Sequence, residues 1–465
     1  MIATITSFCL FLLPLSLGYL LVIFITRKNR LPFFFSVSLG FGLGMGLLTQ
    51  WILVLGILKI PFSDSLINYP LCLVVATLLF LCKKHDVPIF KKRFKDLFQW
   101  EKTTPFTFIF ILYILFYVVY VFWRCFNVPI ASWDAFSTNV FKAKIFFYAR
   151  SLEYLPNVPK YSYPIHVPLL QTWISLCLNV WNDQLVKIAF PFYFISTLSV
   201  CYYFLKNYTS KFYAFLGLVL LVSSHLYIFH STVAYRDATL LYYHCTTLIC
   251  IFLWFRKRDR ALLLLASLFA GLLTFVKLEG SGYLVIHTAL LLMILLKQKN
   301  IAIKKKFMDF LLFTIPSYSI CFLYHFYKYF AITLPQMKFN PARKDFDIYN
   351  LQFQLSFDSL RKLSNVLELI FKNILLTSNW NIIWLIFLVS LLLHWNKKVL
   401  FEIKVILVLF VLFFSIYIPS YTFTQHYYWV GQTHTVLSRN ILHLFPFAVF
   451  LIILINFPSK IRPED

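Results

Sequence analysis

Residues 105–123 read PFTFIFILYILFYVVYVFW, a stretch without a single charged side chain. At 1.5 Å per residue such a run extends about 28 Å, close to the roughly 30 Å hydrocarbon core of a bilayer. Comparable runs recur on both sides of it. They lie near Ile2–Thr26, Pro32–Leu58, Ser65–Cys82, Gln184–Leu205, Phe212–Phe229, Ala238–Phe255 and Ala261–Phe275. Others follow near Gly280–Leu296, Phe310–Phe330, Trp380–Trp395, Ile403–Ser420 and Ile441–Phe457. The pattern predicts an all-α, polytopic membrane protein with about thirteen transmembrane helices. Composition agrees: 60% of the residues are hydrophobic and 13% charged, about half the charge that a soluble surface requires. A soluble globular enzyme is excluded.

The net charge of +25 could suggest nucleic acid. The basic residues, however, form short clusters between apolar runs, at Arg27–Arg30, Lys83–Lys102, Lys206–Lys211, Arg256–Arg258, Lys297–Lys306, Lys397–Lys398 and Lys460–Arg462. Positive-inside topology and anionic headgroups account for that spacing, so membrane lipids are the expected partner and nucleic acid is not. One alternating topology puts all these clusters on the cytoplasmic side. It leaves two long loops outside, 124–183 and 331–379, and requires that Val167–Trp181 not cross. That segment, with Pro168, Gln171, Trp173 and Trp181, fits an interfacial helix. Ala135–Tyr148 (AFSTNVFKAKIFFY) has helical apolar spacing interrupted by Lys142 and Lys144 and is expected to be a second, surface-lying amphipathic helix. The nine cysteines are scattered, mostly within apolar runs, without CxxC or Cys/His ligand spacing; no disulfide framework and no metal ligands are expected.

Acidic residues are the informative ones. Only 18 exist, and Asp134, Glu153, Asp237 and Glu279 fall at the outer membrane boundary. There a carboxylate is poorly solvated, which raises both its cost and its usefulness as a base or ligand. The plain reading is helix capping, since Asp134, Asp237 and Glu279 each stand at a predicted helix start; Glu153, before Pro156, reads as solvated. Outer basic residues run against the positive-inside trend. Lys142 and Lys144 could snorkel from the interfacial helix, Lys277 suits a local pair with Glu279, and Arg439 (HTVLSRNILHLFP) suits a phosphate, with interfacial anchoring as the alternative. Among the histidines His166, His434 and His443, His166 is set apart by its place between Pro164 and Pro168.

These outer-loop residues fall in a recognisable order. A span is followed by W-D-A (133–135), K-A-K (142–144), Y-P-I-H-V-P-L-L-Q-T-W (163–173), Y-R-D (235–237) and K-L-E-G (277–280), and S-R-N-I-L-H-L-F-P (438–446) precedes the last span. The order resembles the GT-C superfamily of integral-membrane glycosyltransferases. It is nearest to bacterial relatives of the aminoarabinose transferase and protein O-mannosyltransferase group. The likeness covers about Pro105 to Glu279 and departs at Leu278, where asparagine is usual. It implies a GT-C-like core over 105–465 with an N-terminal three-span extension over 1–104. It also implies transfer of a sugar from a polyprenyl-phosphate donor to a hydroxyl of a glycolipid, glycan or protein, with inversion, on the periplasmic face of a bacterial inner membrane. Asp134 would be the base or acceptor-positioning group and Asp237 a second catalytic carboxylate. Arg439, Lys142 and Lys144 would hold the donor phosphate, and His166, Glu279 and Tyr163 would position substrate. Mg²⁺ or Mn²⁺ could assist at such a site. Asp134, Asp237 and Arg439 are expected to meet in one pocket.

Two other classes compete. A lipid-linked oligosaccharide polymerase or O-antigen ligase would rest on Arg439, His434 and His443 rather than on Asp134. A transporter would place its ionisable groups near the midplane, on broken or repeated helices.

Overall fold

The computed structural model describes residues 10–85, 87, 104–333, 358–394, 400–424, 427–428, 430 and 436–458. Among these no strand occurs. The helices are α1 (Leu12–Ile25), α2 (Phe33–Ile57), α3 (Asp64–Lys84), α4 (Pro105–Asn127), α5 (Phe141–Ala149), α6 (His166–Leu178), α7 (Ala189–Tyr208), α8 (Lys211–Val222) and α9 (His225–Thr232). They continue with α10 (Asp237–Lys257), α11 (Arg260–Val276), α12 (Glu279–Lys297), α13 (Ile303–Tyr327), α14 (Asp358–Leu375), α15 (Ile383–Leu393), α16 (Phe401–Phe423), α17 (Leu437–Leu442) and α18 (Phe445–Asn456). Among the described residues eight helical segments are long and apolar enough to cross a membrane, nine if the bent pair α8–α9 is one span. This fits an integral membrane protein. Every expected span carries a helix, but α1, α11, α15 and α18 are shorter than a full crossing.

The chain divides into two compact units. Met1–Tyr203 with His230–Gln336 forms the first, and Phe204–Phe229 with Met337–Asp465 forms the second. The leading spans, read from sequence as an extension, pack in the same unit as residues 105–203 and 230–336.

In the first unit the centre is α10, buried all round from Asp237 to Trp254. It is joined to α2 by close contact rather than by bulk. Glycines alternate along α2, so successive ones face different neighbours. A Cβ on Gly44 would lie 1.8 Å from the Pro14 carbonyl of α1, and one on Gly42 would lie 2.2 Å from the Tyr242 ring of α10. Small residues of this kind let helices approach closely in lipid. Tyr242 and Tyr243 then donate their hydroxyls to the Ser38 and Gly42 carbonyls at 2.6 and 2.7 Å.

Three expectations are corrected. The stretch Phe212–Phe229, read as one span, bends by 72° between α8 and α9. The break at Ser223–Ser224 is held from within the second unit. Asn381 donates to the freed Ser223 carbonyl at 2.9 Å, and the Ser224 hydroxyl donates to the Asn379 carbonyl at 3.0 Å. Broken backbone in a membrane needs such partners. The supposed interfacial helix at 167–181 is α6, thirteen residues long and enclosed by protein, with Gln171 and Trp173 both buried. Finally, Ala135–Tyr148 is not a uniform helix with its lysines facing out. A π-helical segment, Ala135–Val140, runs into α5, and Lys142 points inward.

In the second unit α14 lies within what reads as a polar loop. Residues 334–357 of that loop are outside the described residues. Helix α14 packs on α15, α16 and α17. Asn373 of α14 donates to the Ser438 hydroxyl of α17 at 2.7 Å, tying it to the short helix before the last one.

Candidate functional site

Four stretches of the first unit meet at one end of its helices. Their floor is a buried apolar cluster of Cys125, Ala135, Val140, Val167, Phe190 and Ala234. The π-helical segment is fastened above it, with Asn139 donating to the Ala234 carbonyl at 3.0 Å. That bond brings Asp134 beside the segment that opens α10. The next stretch, around Lys160, turns sharply: Lys160 has φ 50°, in the left-handed region. For a residue with a Cβ this costs on the order of 1 kcal/mol. The conformation lets the Lys160 carbonyl accept the Lys142 ammonium at 2.5 Å while its own ammonium lies 3.8 Å from Asp134.

Tyr163 stands at the centre. The Arg236 guanidinium lies 4.7 Å from its ring centroid, the Lys160 ammonium 5.5 Å and the Lys142 ammonium 5.8 Å. The aromatic ring thus draws together three basic side chains that would otherwise repel one another. Arg236 also donates to the Pro164 carbonyl at 3.4 Å. Burial holds the Lys142 ammonium well below the ordinary lysine range, and the neighbouring Arg236 and Lys160 charges add to that effect. Burial raises the Tyr163 phenol. Arg236 opposes that rise and Glu279 reinforces it, with Lys277 and Asp134 acting more weakly.

The remaining charges form a chain. Lys277 donates to Asp237 at 2.9 Å and pairs with Glu279 at 2.8 Å; His230 lies 3.6 Å from Asp237. The side chain of Asp237 is fully enclosed, whereas those of Asp134 and Glu279 are 27% and 24% exposed. A substrate can therefore reach Asp134 and Glu279 directly, whereas the enclosed Asp237 acts through neighbours such as Lys277. Helix starts account for these carboxylates only in part: Asp237 and Glu279 stand in the first turns of α10 and α12, where a carboxylate complements the helix dipole. Asp134 makes no cap hydrogen bond, and Arg236 and Leu278, not Asp237 and Glu279, are the N-cap residues of α10 and α12.

Among the described residues no group of three or more His, Cys, Asp or Glu could hold a metal ion. Lys277 fills the space between Asp237 and Glu279, so a divalent cation shared by these two would have to displace it.

Of the residues singled out from sequence, Asp134, Lys142, Tyr163, Asp237 and Glu279 belong to this cluster. Lys144 does not. Two residues on from Lys142, it faces the opposite way, is exposed, and lies 5.9 Å from the Trp181 ring. His166 is deeply buried with both nitrogens engaged, Nδ1 with Thr49 at 2.7 Å and Nε2 with Tyr193 at 3.0 Å, and so ties α6 to α2 and α7. Arg439 and the buried His443 belong to the second unit. His434 lies outside the described residues. Glu153 is exposed. Sequence reasoning missed Lys160 and His230. Lys160 carried the usable signal, a basic residue on the outer side three positions before Tyr163.

No family model matches the chain, and no curated protein or solved structure matches it either.

Proposed function

We propose that this chain is a GT-C-type membrane glycosyltransferase, moving a hexosyl or pentosyl group from a polyprenyl-phosphate donor to a hydroxyl acceptor. One observation carries the proposal: Asp134, the most accessible carboxylate of the cluster, stands beside Lys160 in a site where Lys160, Lys142 and Arg236 converge on Tyr163. Base and cations in one place are what the reaction demands. The acceptor O–H gives its proton to the Asp134 carboxylate as its oxygen attacks the anomeric carbon. The bond from that carbon to the phosphate oxygen breaks. The electron pair leaves with the polyprenyl phosphate, whose charge Arg236 and Lys160 offset. Attack opposite the leaving group inverts the anomeric centre.

The enclosed Asp237 acts through Lys277, which it holds toward Glu279. Lys142 and Tyr163 set the spacing of the cations. In this reading Arg236 and Lys160 take the donor-phosphate role that the resemblance gives to Arg439, Lys142 and Lys144. About thirteen helical passes, several of them shorter than the bilayer is thick, and a periplasmic active face in a bacterial inner membrane complete the proposal. A transporter is less favoured, because the charges gather at helix ends rather than at mid-membrane.

The test uses membranes containing the chain and a panel of radiolabelled polyprenyl-phosphate sugars. Asp134→Asn is expected to lower transfer by about 10²–10⁴-fold at wild-type protein levels. Transfer at the wild-type rate would remove Asp134 from the mechanism.

A further inference from the structure

The apolar run that announces the fold has a second feature. Helix α4 is poorly covered by its own protein. Of its residues only Thr107, Val121 and Cys125 are buried, and they share one face. About a quarter-turn away lies a polar stripe. Tyr113, Tyr117, Tyr120 and Arg124 recur at spacings of four, three and four, which keeps them on one side of a helix. The Tyr113 hydroxyl donates to the Tyr117 oxygen at 3.4 Å in an exposed position. The two rings meet edge to face, 5.1 Å apart. The Arg124 guanidinium donates to the Tyr120 hydroxyl at 2.9 Å.

Depth makes this stripe costly. Tyr113 and Tyr117 stand about 12 and 18 Å along a helix of about 34 Å, at the middle of a bilayer. A hydroxyl facing hydrocarbon loses the water that would satisfy it, and from mid-membrane a tyrosine cannot reach the interface. Tyr117 and Tyr120 accept from Tyr113 and Arg124, and a polar surface carried by another membrane-embedded helix would take up their own hydroxyl protons.

We propose that α4 is a homodimer interface, with the tyrosine stripe of one copy packed on that of a second. The stripe complements itself, because each tyrosine hydroxyl is both donor and acceptor. A twofold axis along the membrane normal then sets Tyr113 and Tyr117 opposite their own counterparts, as an isologous interface requires. Tyrosine is matched to tyrosine at equal depth, so no second kind of chain is needed. Flanking Ile109 and Phe116, both exposed, supply apolar packing beside the hydrogen bonds. The Arg124 side chains fall at headgroup depth, where a lipid phosphate fits between two guanidinium groups.

The test is cysteine cross-linking of the full chain in native membranes, against the background of its native cysteines. Tyr117→Cys is expected to yield a disulfide-linked species of twice the monomer mass. Leu115→Cys, exposed on the other side of α4, is expected to yield only the wild-type background. Independently of any cysteine variant, wild-type chain in lipid nanodiscs is expected to run as a dimer. The triple change Tyr113→Phe, Tyr117→Phe, Tyr120→Phe is expected to weaken that dimer by about tenfold. A monomeric wild type overturns the proposal. So does equal cross-linking at Leu115 and Tyr117, or a Tyr117 adduct with a different protein. None of these outcomes depends on sugar transfer.

Discussion

The charges around Tyr163 and those along α14 differ in how they are paired. On α14, Lys362 pairs with Asp358 and Lys372 with Glu368, each four residues apart along the helix; three of these side chains are exposed and Lys362 is half-buried beside the Tyr427 ring. Around Tyr163 the partners come from four distant stretches of chain. Lys277 and Asp237 are forty residues apart, and neither is open to water. Pairs of the first kind form wherever a helix has the spacing, and they contribute little because water competes for both ions. Pairs of the second kind exist only if the fold assembles them, against a desolvation cost. The contrast teaches where chemistry is to be sought in a chain with 18 acidic residues: at charges that are costly to bring together.

Four changes break or sharpen that contrast. The largest effect is expected from Asp237→Asn, which takes the buried partner from Lys277 and leaves it only the more exposed Glu279 at 2.8 Å. Removing both would strand a buried charge at about 3–5 kcal/mol, and with Glu279 in place the loss should fall below that range. Thermal unfolding in nanodiscs should show it, and Asp237→Asn combined with Lys277→Met should recover part of the loss. Next is Tyr163→Leu, which keeps the bulk and removes the ring that gathers the cations. Binding of polyprenyl phosphate is expected to weaken by about tenfold, the scale of one or two desolvated cation–π contacts. Third is Lys142→Met. The lowered pKa of Lys142 means that its charge destabilises the fold. That penalty is fully present below the lowered value and vanishes as pH rises toward the ordinary 10.5. Wild-type stability should therefore rise with pH across that window, and the methionine variant should lose the slope. Smallest is Glu368→Gln on α14, expected to shift stability by less than about 0.5 kcal/mol.

Much of the fold was legible because lipid as solvent leaves a blunt signature. Residues 105–123 need only be scanned for charge, and α4 lies there. The carboxylates of the site were legible for a related reason, since they stand where apolar runs end. The direction of α5 was hidden by the same solvent. Phe141 and Tyr148 face outward with Lys144, while Lys142 is enclosed with Phe146 and Phe147, so apolar and charged side chains share both faces. In a chain with 20% aromatic residues, apolar spacing alone does not say which face meets protein. His166 looked chemical because of its flanking prolines. Its partners, Thr49 and Tyr193, lie far away in sequence and make it a tie between helices. Helix α14 was readable after all. Its ion pairs repeat at four-residue spacing among leucines, a pattern that calling the loop polar overlooks.

The measurement that bears most directly on the transferase site is photo-cross-linking with a polyprenyl phosphate carrying a photoreactive group beside the phosphate. Labelled peptides would be mapped from wild-type chain in nanodiscs. Label is expected within residues 134–163 and at 236–237, displaced by unmodified polyprenyl phosphate and diminished by Arg236→Met. Competable label confined to other parts of the chain would contradict the site.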